Sequence, residues 1–403
     1  MANIAIMGFG TVGGGVLEIV KMNSGLLKRN ANGEEITVKR ILDIRDFSDH
    51  EDAALFTKNF EDILNDPEIT VVVEAMGGLH PAYEFTKELL LSGKSVVTSN
   101  KELVATYGTE LLQIACDKNE NYLFEASVGG GIPVIRPIHQ CLTANKVTRI
   151  AGILNGTTNY ILNEMFSKGK SFEDALSDAQ AKGYAEKNPA ADIEGHDACR
   201  KIAILASLAS RKFVDYKNID TEGIVNISGD DVKYAESMDK VIKLIGFAEF
   251  DDDDKLYSVV SPMLVDKTNP LACVDGVFNA VMITGNCVGD VMFYGKGAGM
   301  LPTASAVVAD VIDAVKHIER SKKIAWTDEG DDFMIPADKK SFEYFVRTTS
   351  EESEVKKVFD VSEICDMSLN GETAFITKPV SECELKEKLD KLKGVVSYIR
   401  VMQ

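Results

Sequence analysis

A short segment near the middle of the chain brings one ammonium group and three carboxylates together. Asp197 and Lys201 are four residues apart, so they share one face of a helix. Apolar residues continue near that face and would shield the pair partly from water. Glu186 and Asp192 lie just upstream. A partly buried lysine can donate a proton to a reacting oxygen while carboxylates bind a substrate ammonium group, although an ordinary surface ion pair has the same spacing.

A glycine-rich turn follows the first strand-like run, residues 3–7, and opens a helix-like run, residues 12–22. Glycines permit a tight turn and a close approach of the main chain to a pyrophosphate, and the N–H groups at the start of the following helix suit an anion. Because strand, turn and helix occur in this order, the turn predicts a dinucleotide cofactor. The candidate cofactor ligands are Gly8, Gly10, Thr11, Val12 and Gly13.

The second strand-like run ends in a charged cluster that bears on the choice of cofactor. Asp43 or Asp46 could bind the 2′-hydroxyl of an NAD ribose, whereas Arg45 could pair with the 2′-phosphate of NADP. The residue types therefore leave both cofactors open, with a slight preference for NADP through Arg45.

A polar cluster also ends the buried strand-like run at residues 95–98. Doubly wound sheets bind ligands outside the carboxyl ends of their strands, so Thr98, Ser99 and Lys101 are candidate cofactor contacts. Taken alone, Lys101 could equally be an ordinary lysine at the start of a helix.

The composition excludes several other functions. The net charge of -19 repels phosphate and argues against a nucleic-acid partner. The seven cysteines are scattered without a CxxC pair and the five histidines are dispersed, which is typical of reduced thiols in the cytosol and indicates no zinc site. We find neither a signal-peptide pattern nor an apolar run of about 18 residues. The sequence therefore predicts a soluble cytoplasmic protein with no membrane partner.

The order of strand-like and helix-like runs predicts an α/β protein with several domains. Residues 1–140 predict a Rossmann-type doubly wound parallel sheet, on which an apolar helix at residues 303–318 is expected to pack. Residues 141–302 predict an α+β domain. A polar linker at residues 319–340 precedes residues 341–403, whose strand, helix, strand, strand, helix, strand order predicts a small ferredoxin-like βαββαβ domain.

Four stretches of the chain resemble the homoserine dehydrogenase family. The most specific spans residues 179–201 and contains Gly183-Tyr184, Pro189, Asp192-Ile193-Glu194-Gly195, Asp197 and Lys201. The others are residues 98–101, residues 152–162, and Gly297-Ala298-Gly299 with Pro302-Thr303-Ala304. The resemblance extends from residue 1 to about residue 320 and leaves no room for an aspartate kinase domain, so it points to the monofunctional form.

The resemblance implies an NAD(P)H-dependent reduction of L-aspartate 4-semialdehyde to L-homoserine, and the reverse, in threonine, methionine and isoleucine biosynthesis. It implies that Lys201 passes a proton to the aldehyde oxygen, that Lys101 assists beside the nicotinamide and that Glu186 binds the substrate α-ammonium group. Asp192 and Asp197 would position the substrate. The pocket residues implied are Gly156, Thr157 and Tyr184, and Gly297 is implied to contact the cofactor.

The resemblance also implies a monovalent cation, sodium, at the glycine-rich loop of residues 125–132. Its ligands would be oxygens, mainly main-chain carbonyls, of Glu125, Val128, Gly130 and Ile132. A run of glycines also suits close packing of the main chain without an ion, so both interpretations stay open.

Residues 340–403 resemble an ACT regulatory domain, notably at residues 374–381. The glycine-containing first turn typical of that domain is replaced by residues 348–352. The domain could therefore bind threonine, bind another amino-acid effector or be purely structural. The family likeness further implies a homodimer or homotetramer, assembled through the middle domain.

Two other functions are compatible with these residues. Another two-domain NAD(P)-dependent semialdehyde or amino-acid dehydrogenase would share the fold, because a fold does not determine a function. A panel of substrates distinguishes that case. A non-catalytic amino-acid sensor would have no need of the lysine and the carboxylates, and an activity assay paired with titration of amino acids distinguishes it.

Overall fold

Strands and helices alternate along the first part of the computed structural model, which describes residues 1–318 and 320–402. The first elements are β1 (Ala2–Met7), α1 (Thr11–Met22), α2 (Ser24–Asn30), β2 (Ile36–Leu42), β3 (Phe56–Thr57), α3 (Glu61–Leu64), β4 (Ile69–Glu74), α4 (Ala82–Leu91), β5 (Ser95–Thr98), α5 (Lys101–Asp117) and β6 (Tyr122–Leu123). The middle elements are β7 (Val147–Ile153), α6 (Gly156–Lys168), α7 (Phe172–Ala181), α8 (Ala190–Ile193), α9 (His196–Ser210), β8 (Asp220–Thr221), α10 (Gly229–Ser237), β9 (Lys240–Phe250), β10 (Leu256–Asp266), β11 (Phe278–Gly285), β12 (Gly289–Lys296) and α11 (Met300–Lys316). The last elements are β13 (Ser341–Phe342), β14 (Tyr344–Thr348), α12 (Glu352–Val358), β15 (Val361–Ile364), β16 (Thr373–Thr377), β17 (Val380–Ser381), α13 (Glu382–Leu389) and β18 (Val395–Val401).

Contacts between residues divide the chain into two units. The first comprises Met1–Asn145, Ala203–Asp215 and Phe293–Gly330, and the second comprises Lys146–Ile202, Tyr216–Met292 and Asp331–Gln403. The predicted linker begins at residue 319 and the predicted C-terminal domain ends at residue 403, and these two positions lie outside the described residues. Within the described part of the chain, we find no helix with the length and apolar character needed to cross a membrane.

The first unit is built on a six-stranded sheet in the order β3-β2-β1-β4-β5-β6, and all its strands are parallel. The central strands are almost entirely apolar because both faces of the sheet are covered, and Val71, Val72 and Val73 of β4 have no exposed surface. This strand order is that of the dinucleotide-binding doubly wound fold, which confirms the predicted α/β class. The order reverses between β1 and β4, so the carboxyl ends of these strands border the crevice where such folds bind ligands.

The helix α11 belongs to the first unit and packs against α1. The contact is close because α1 carries Gly15, where a Cβ would lie 2.9 Å from the Cβ of Ala304. Val307 of α11 and Val16 of α1 are fully buried in the same core. The apolar run predicted to be a helix at residues 303–318 is therefore helical, although the helix begins and ends slightly earlier.

The second unit contains most of a mixed sheet in the order β12-β11-β7-β9-β10-β18-β14-β16-β15, and β8 pairs with β10. The last four residues of the edge strand β12 belong to the first unit. Its longest ladder is the antiparallel pair of β9 and β10. The sequence pattern does not predict β9, because Lys243 interrupts its apolar run. In the structure Lys243 is nevertheless buried, since its Nζ donates to the carbonyl oxygen of Val274 at 2.6 Å and to Oδ1 of Asn159 at 3.2 Å.

The C-terminal residues follow the predicted βαββαβ order. The four main strands are adjacent in the order β18-β14-β16-β15, and each neighbouring pair is antiparallel, as in ferredoxin-like folds. β18 also pairs in parallel with β10 at Met263↔Arg400 and Leu264↔Val401, so these strands continue the sheet of the second unit. Resemblance to an ACT domain, and separation as a domain of its own, stay predictions.

A buried arginine ties β14 to α10. Arg347 donates from Nε to Oε2 of Glu372 at 2.9 Å, and from Nη1 to Oδ1 of Asp231 at 2.7 Å and to Oγ of Ser228 at 3.1 Å. The Arg347 side chain is only 3% exposed. A buried cation is tolerated when carboxylates and hydrogen bonds replace its water, so this group holds the C-terminal strands in place.

We expect Arg347→Met to lower the free energy of unfolding by about 3–5 kcal/mol, because Asp231 and Glu372 would remain buried without their cation. Urea denaturation measures this loss. Lys357→Met removes an exposed pair with Glu354 and should cost less than about 1 kcal/mol. Equal, small losses in both variants would contradict the structural role given to Arg347.

Candidate active site

The glycine turn between β1 and α1 has the shape that a pyrophosphate requires. Gly8 adopts φ +90°, a conformation disfavoured by side chains, and a Cβ there would lie 2.7 Å from the carbonyl oxygen of Ala75. A Cβ at Gly13 would overlap the carbonyl oxygen of Gly8, whereas a Cβ at Gly10 would meet no atom within 4 Å. α1 begins directly at Thr11, and the first N–H groups of a helix have no partner within it. The open space at Gly10 therefore leaves room for an anion at the start of α1.

Arg45, just beyond the end of β2, is held in place by a carboxylate. Asp43 accepts the main-chain N–H of Phe9 at 2.8 Å and the main-chain N–H, Nε and Nη2 of Arg45 at 2.9, 3.0 and 2.8 Å. The Arg45 guanidinium holds the pKa of Asp43 well below its usual range. Asp46 accepts the main-chain N–H of Ser48 at 3.0 Å. The Asp43 carboxylate is thus occupied within the protein, while the Arg45 side chain stays 57% exposed and is both fixed and accessible.

The polar cluster at the end of β5 is tied to a buried glutamate that sequence reasoning missed. The Thr98 hydroxyl donates to Oε2 of Glu74 at 2.5 Å and accepts the main-chain N–H of Asn100 at 2.9 Å. Neither Thr98 nor Glu74 has exposed surface, so this predicted cofactor contact directs its hydroxyl into the protein. Ser99 and Lys101 are half-buried. The available signal for Glu74 was a lone glutamate at the end of an apolar strand.

The loop predicted to bind sodium begins with a glutamate whose side chain is fully engaged. Oε1 of Glu125 accepts the main-chain N–H groups of Val134 and Ile135 at 2.6 and 2.8 Å, and Oε2 accepts that of Arg136 at 2.8 Å. The Glu125 carboxylate thus holds the main chain of residues 134–136 in place.

The glycines of this loop pack against the end of β12 and the residue that follows it. A Cβ at Gly130 would overlap the carbonyl oxygen of Gly297, and the N–H of Gly131 donates to the carbonyl of Lys296 at 3.1 Å. The described residues contain no group of three or more His, Cys, Asp or Glu side chains that could hold a metal ion, and carbonyl ligands such as those of Val128 and Ile132 would form a site of another kind. The contacts of Gly130 and Gly131 show that the main chain packs closely in this loop.

A second buried carboxylate supports the same loop. Oδ2 of Asp310 accepts the main-chain N–H of Glu125 at 2.8 Å, and Oδ1 accepts Nη2 of Arg136 at 2.6 Å. Burial raises the pKa of Asp310 to about 7, although the Arg136 guanidinium acts against that shift. Glu125 and Asp310 thus share one arginine.

In the second unit, the structure brings the predicted acid–base pair into contact at the start of α9. Nζ of Lys201 donates to Oδ2 of Asp197 at 2.7 Å and to the main-chain carbonyl of Leu154 at 2.7 Å. An ammonium group has three N–H donors, so one remains for another acceptor. The Lys201 side chain is only 11% exposed, which rules out an ordinary surface ion pair.

Asn155 joins this pair to Asp192, and sequence reasoning assigned it no role. Its Nδ2 donates to Oδ1 of Asp192 at 2.7 Å and to Oδ2 of Asp197 at 2.9 Å. Its Oδ1 accepts the main-chain N–H of Thr158 at 2.8 Å and so caps α6. An amide suits this position because it supplies two donors and an acceptor. An asparagine directly before a helix-like run was the available signal.

The helix that carries the pair begins later than its sequence pattern predicts. The apolar pattern predicts one helix over residues 193–208, but α8 ends at Ile193 and α9 begins at His196. Between them Gly195 adopts φ +87°, which lies outside the helical region. Asp197 is consequently in the first turn of α9, where main-chain N–H groups favour a carboxylate.

Three further predicted substrate residues, Gly156, Thr157 and Tyr184, meet at the start of α6. The Thr157 hydroxyl donates to the carbonyl oxygen of Tyr184 at 2.7 Å, and a Cβ at Gly156 would lie 2.7 Å from the carbonyl oxygen of Val277. The Tyr184 side chain is partly exposed. Glu186 is exposed, and its carboxylate has no hydrogen bond or ion pair with any residue that the structure describes. Glu186 is therefore accessible to an external cation.

Comparisons with known proteins agree with this geometry. A family model described as the NAD binding domain of homoserine dehydrogenase matches residues 8–125, and one described as homoserine dehydrogenase matches residues 133–312. Homoserine dehydrogenase of Synechocystis is 44% identical over 325 residues, which cover 79% of this chain and 74% of that protein. The chain belongs to the homoserine dehydrogenase family. It is accordingly an oxidoreductase that uses NAD or NADP, which confirms the predicted reaction class.

Solved structures extend this family likeness to the whole chain. The homoserine dehydrogenase of Thiobacillus denitrificans is 36% identical with a TM-score of 0.90, covering 100% of this chain and 98% of that one. A hyperthermophilic archaeal homoserine dehydrogenase in complex with NADPH is 30% identical with a TM-score of 0.67, covering 78% of this chain and 97% of that one. Family members thus differ in whether they match the full length of this chain.

For this homoserine dehydrogenase family member we expect Asn155→Ala to lower kcat/KM by about 10- to 100-fold, because Asp192 and Asp197 would lose a shared donor and shift. Loss of the helix cap should also lower the free energy of unfolding by about 1 kcal/mol. Steady-state kinetics and urea denaturation measure the two effects.

Asn163→Ala is the matched control, since Asn163 lies on the same helix and bonds only an exposed carboxylate, that of Asp275, at 3.1 Å. It should leave both quantities unchanged. Wild-type kinetics in Asn155→Ala would show that the bridge to the two aspartates is dispensable.

Proposed function

We propose that this chain reduces L-aspartate 4-semialdehyde to L-homoserine, and catalyses the reverse oxidation, with Lys201 as proton donor. The main observation behind this proposal is that the Lys201 ammonium group is buried. Its hydrogen bonds to Asp197 and Leu154 leave one N–H available. A substrate aldehyde oxygen is an acceptor of the kind that this N–H requires.

Lys201 neutralises the charge that develops on the aldehyde oxygen during reduction. General acid catalysis of this type contributes about 10²- to 10⁴-fold. The two hydrogen bonds to Asp197 and Leu154 fix the ammonium before the substrate arrives, and a preorganised cation also stabilises the developing oxyanion electrostatically. In the oxidation of homoserine, the same lysine accepts the hydroxyl proton.

Two carboxylates of the chain segment that also contains Lys201 suit the α-ammonium group of the substrate. Asp192 is oriented by Asn155, and Glu186 keeps a carboxylate that no described residue occupies. We assign Glu186 to the ammonium group, and Asp192 together with Asp197 to positioning of the substrate. Gly156, Thr157 and Tyr184 line the pocket in this proposal.

The first unit fits a nicotinamide dinucleotide, which supplies the hydride when it is bound. The open space at Gly10 fits the pyrophosphate, and we assign the N–H groups of the turn and of the first turn of α1 to it. Arg45 binds the 2′-phosphate of NADP, Ser99 and Lys101 lie at the nicotinamide end, and Gly297 contributes to the same site. The NADPH complex of the archaeal relative supports NADP as the cofactor.

Three further assignments rest on family likeness and local geometry. We assign a sodium ion to the main-chain carbonyls of Glu125, Val128, Gly130 and Ile132, with Asp310 and Arg136 supporting the loop. We also assign a homodimer or homotetramer to the protein. Finally, we propose that the C-terminal strands respond to an amino-acid effector such as threonine.

Lys201→Met should lower kcat for L-homoserine oxidation by about 10²-fold or more, because the proton carrier is lost. The control is Lys168→Met, which removes another lysine paired with a carboxylate four residues away, Glu164, but on the surface of α6. That variant should retain wild-type kcat. Circular dichroism establishes that both variants fold, and near-normal turnover in folded Lys201→Met would remove its assigned role.

Arg45→Ala should raise KM for NADP by about tenfold or more and leave KM for NAD nearly unchanged, because a charge-assisted hydrogen bond to the 2′-phosphate is lost. Oxidation of L-homoserine with NADP and NAD in parallel measures both values and tests the reaction itself. Arg29→Ala, at an exposed arginine in the last turn of α2, is the control. An equal rise of both KM values would instead favour an acidic residue as the reader of the ribose.

A further inference from the structure

A buried carboxylate lies at the carboxyl edge of the parallel sheet, next to the point where the strand order reverses. Glu74 is the last residue of β4 and pairs with Met7 of β1 on one side and with Thr98 of β5 on the other. It has no exposed surface. Doubly wound folds bind a dinucleotide across this edge, with one mononucleotide on each half of the sheet. Glu74 therefore lies at the carboxyl edge of the half of the sheet that β4, β5 and β6 form.

The hydrogen bonds to this carboxylate come from the end of β5 and from the loop after β4. Oε1 accepts the main-chain N–H of Met76 at 2.8 Å, and Oε2 accepts the Thr98 hydroxyl at 2.5 Å. The N–H of Gly77 and the side chain of Asn100 lie nearby and also act to lower the pKa of Glu74. An ionised carboxylate only accepts hydrogen bonds, so this set of donors favours the charged form. Burial acts in the opposite direction and raises the pKa of Glu74.

The same contacts connect the loop after β4 to the loop after β5. Asn100 donates its main-chain N–H to the Thr98 hydroxyl at 2.9 Å and its Nδ2 to the carbonyl of Gly78 at 2.6 Å. Its Oδ1 accepts the N–H of Leu103 at 3.1 Å and so caps α5, which begins at Lys101. Glu74 thus contacts the loop after β4 through Met76 and the end of β5 through Thr98, and Asn100 joins the same loops to the start of α5.

The loop after β4 also touches the pyrophosphate turn. A Cβ at Gly8 would lie 2.7 Å from the carbonyl oxygen of Ala75 and 2.9 Å from the Cα of Met76. Because Glu74 holds the N–H of Met76, it fixes the surface against which the glycine turn packs. The carboxylate thus sets the position of main chain on both sides of the crevice.

We propose that Glu74 is a positioning residue for the cofactor: its buried carboxylate fixes the loops after β4 and β5, and its negative charge favours the oxidised, cationic nicotinamide over the reduced, neutral one. This inference rests on the proposed cofactor site. It adds that the chain discriminates between the two oxidation states through a group that touches neither substrate nor cofactor.

The test compares Glu74→Gln with Glu120→Gln. Glu120 is also a buried glutamate of this sheet region, but it accepts the Ser95 hydroxyl at 2.6 Å at the opposite, amino end of β5. Fluorescence titration gives Kd for NADP⁺ and for NADPH in each cofactor-free variant and in wild type, and thermal unfolding gives their stability. Glutamine keeps the shape of the side chain while it removes the charge.

We expect Glu74→Gln to raise the ratio of Kd for NADP⁺ to Kd for NADPH by about tenfold, as one lost charge near the ring would produce. Glu120→Gln should leave this ratio at the wild-type value even if it unfolds at a lower temperature. An unchanged ratio in Glu74→Gln, with stability losses equal in the two variants, would reduce Glu74 to a structural residue and overturn the inference.

Thr98 provides a second route if Glu74→Gln does not fold. Thr98→Val removes the hydroxyl donor to Glu74 and should weaken binding of both cofactor forms, whereas Thr98→Ser keeps the hydroxyl and should restore binding. Wild-type affinities in Thr98→Val would overturn the positioning role. If wild type itself binds neither NADP⁺ nor NADPH, the proposed function fails as well, whereas normal wild-type binding with unaltered variants rejects only the role of Glu74.

Discussion

A charge that leaves water must find hydrogen-bonding partners inside the protein, and this requirement shapes both units of the chain. The cost of burying an unpaired ion is several kcal/mol or more, at least about as large as the effect of a typical core substitution. Lys201 meets the requirement with Asp197 and the carbonyl of Leu154, and Arg347 meets it with Asp231 and Glu372. Each buried charge thereby fixes segments that are distant in the sequence.

The two units satisfy this requirement by different means. In the first, main-chain N–H groups serve the carboxylates: Glu125 accepts three of them, and Glu74 holds the loop after β4 in the same way. Such contacts define the path of the main chain. In the second, side chains also bond one another, and Asn155 donates to both Asp192 and Asp197. This arrangement suits a site that must bind a small, charged substrate and move a proton.

Polar groups that keep an unused donor or acceptor are as informative as those that are paired. Lys201 uses two of its three donors, and the carboxylate of Glu186 has no partner among the residues described. One donor and one carboxylate are therefore available in the segment that belongs to the most specific stretch of family likeness. A substrate with an aldehyde oxygen and an α-ammonium group would complete both. Asp43, by contrast, has its carboxylate oxygens hydrogen-bonded to Phe9 and Arg45.

The sequence by itself determined the features that depend on neighbours along the chain. The contact of Asp197 with Lys201 follows from the period of a helix, and the glycine turn follows from local sterics. Tertiary structure alone decided the roles of Asn155, Glu74 and Lys243. Asn155 meets its carboxylates 37 and 42 residues away, and Glu74 meets Thr98 24 residues away. The periodicity of the sequence does not predict such pairs. The packing of sheets and helices determines which polar groups share a buried site, and that packing depends on the whole chain.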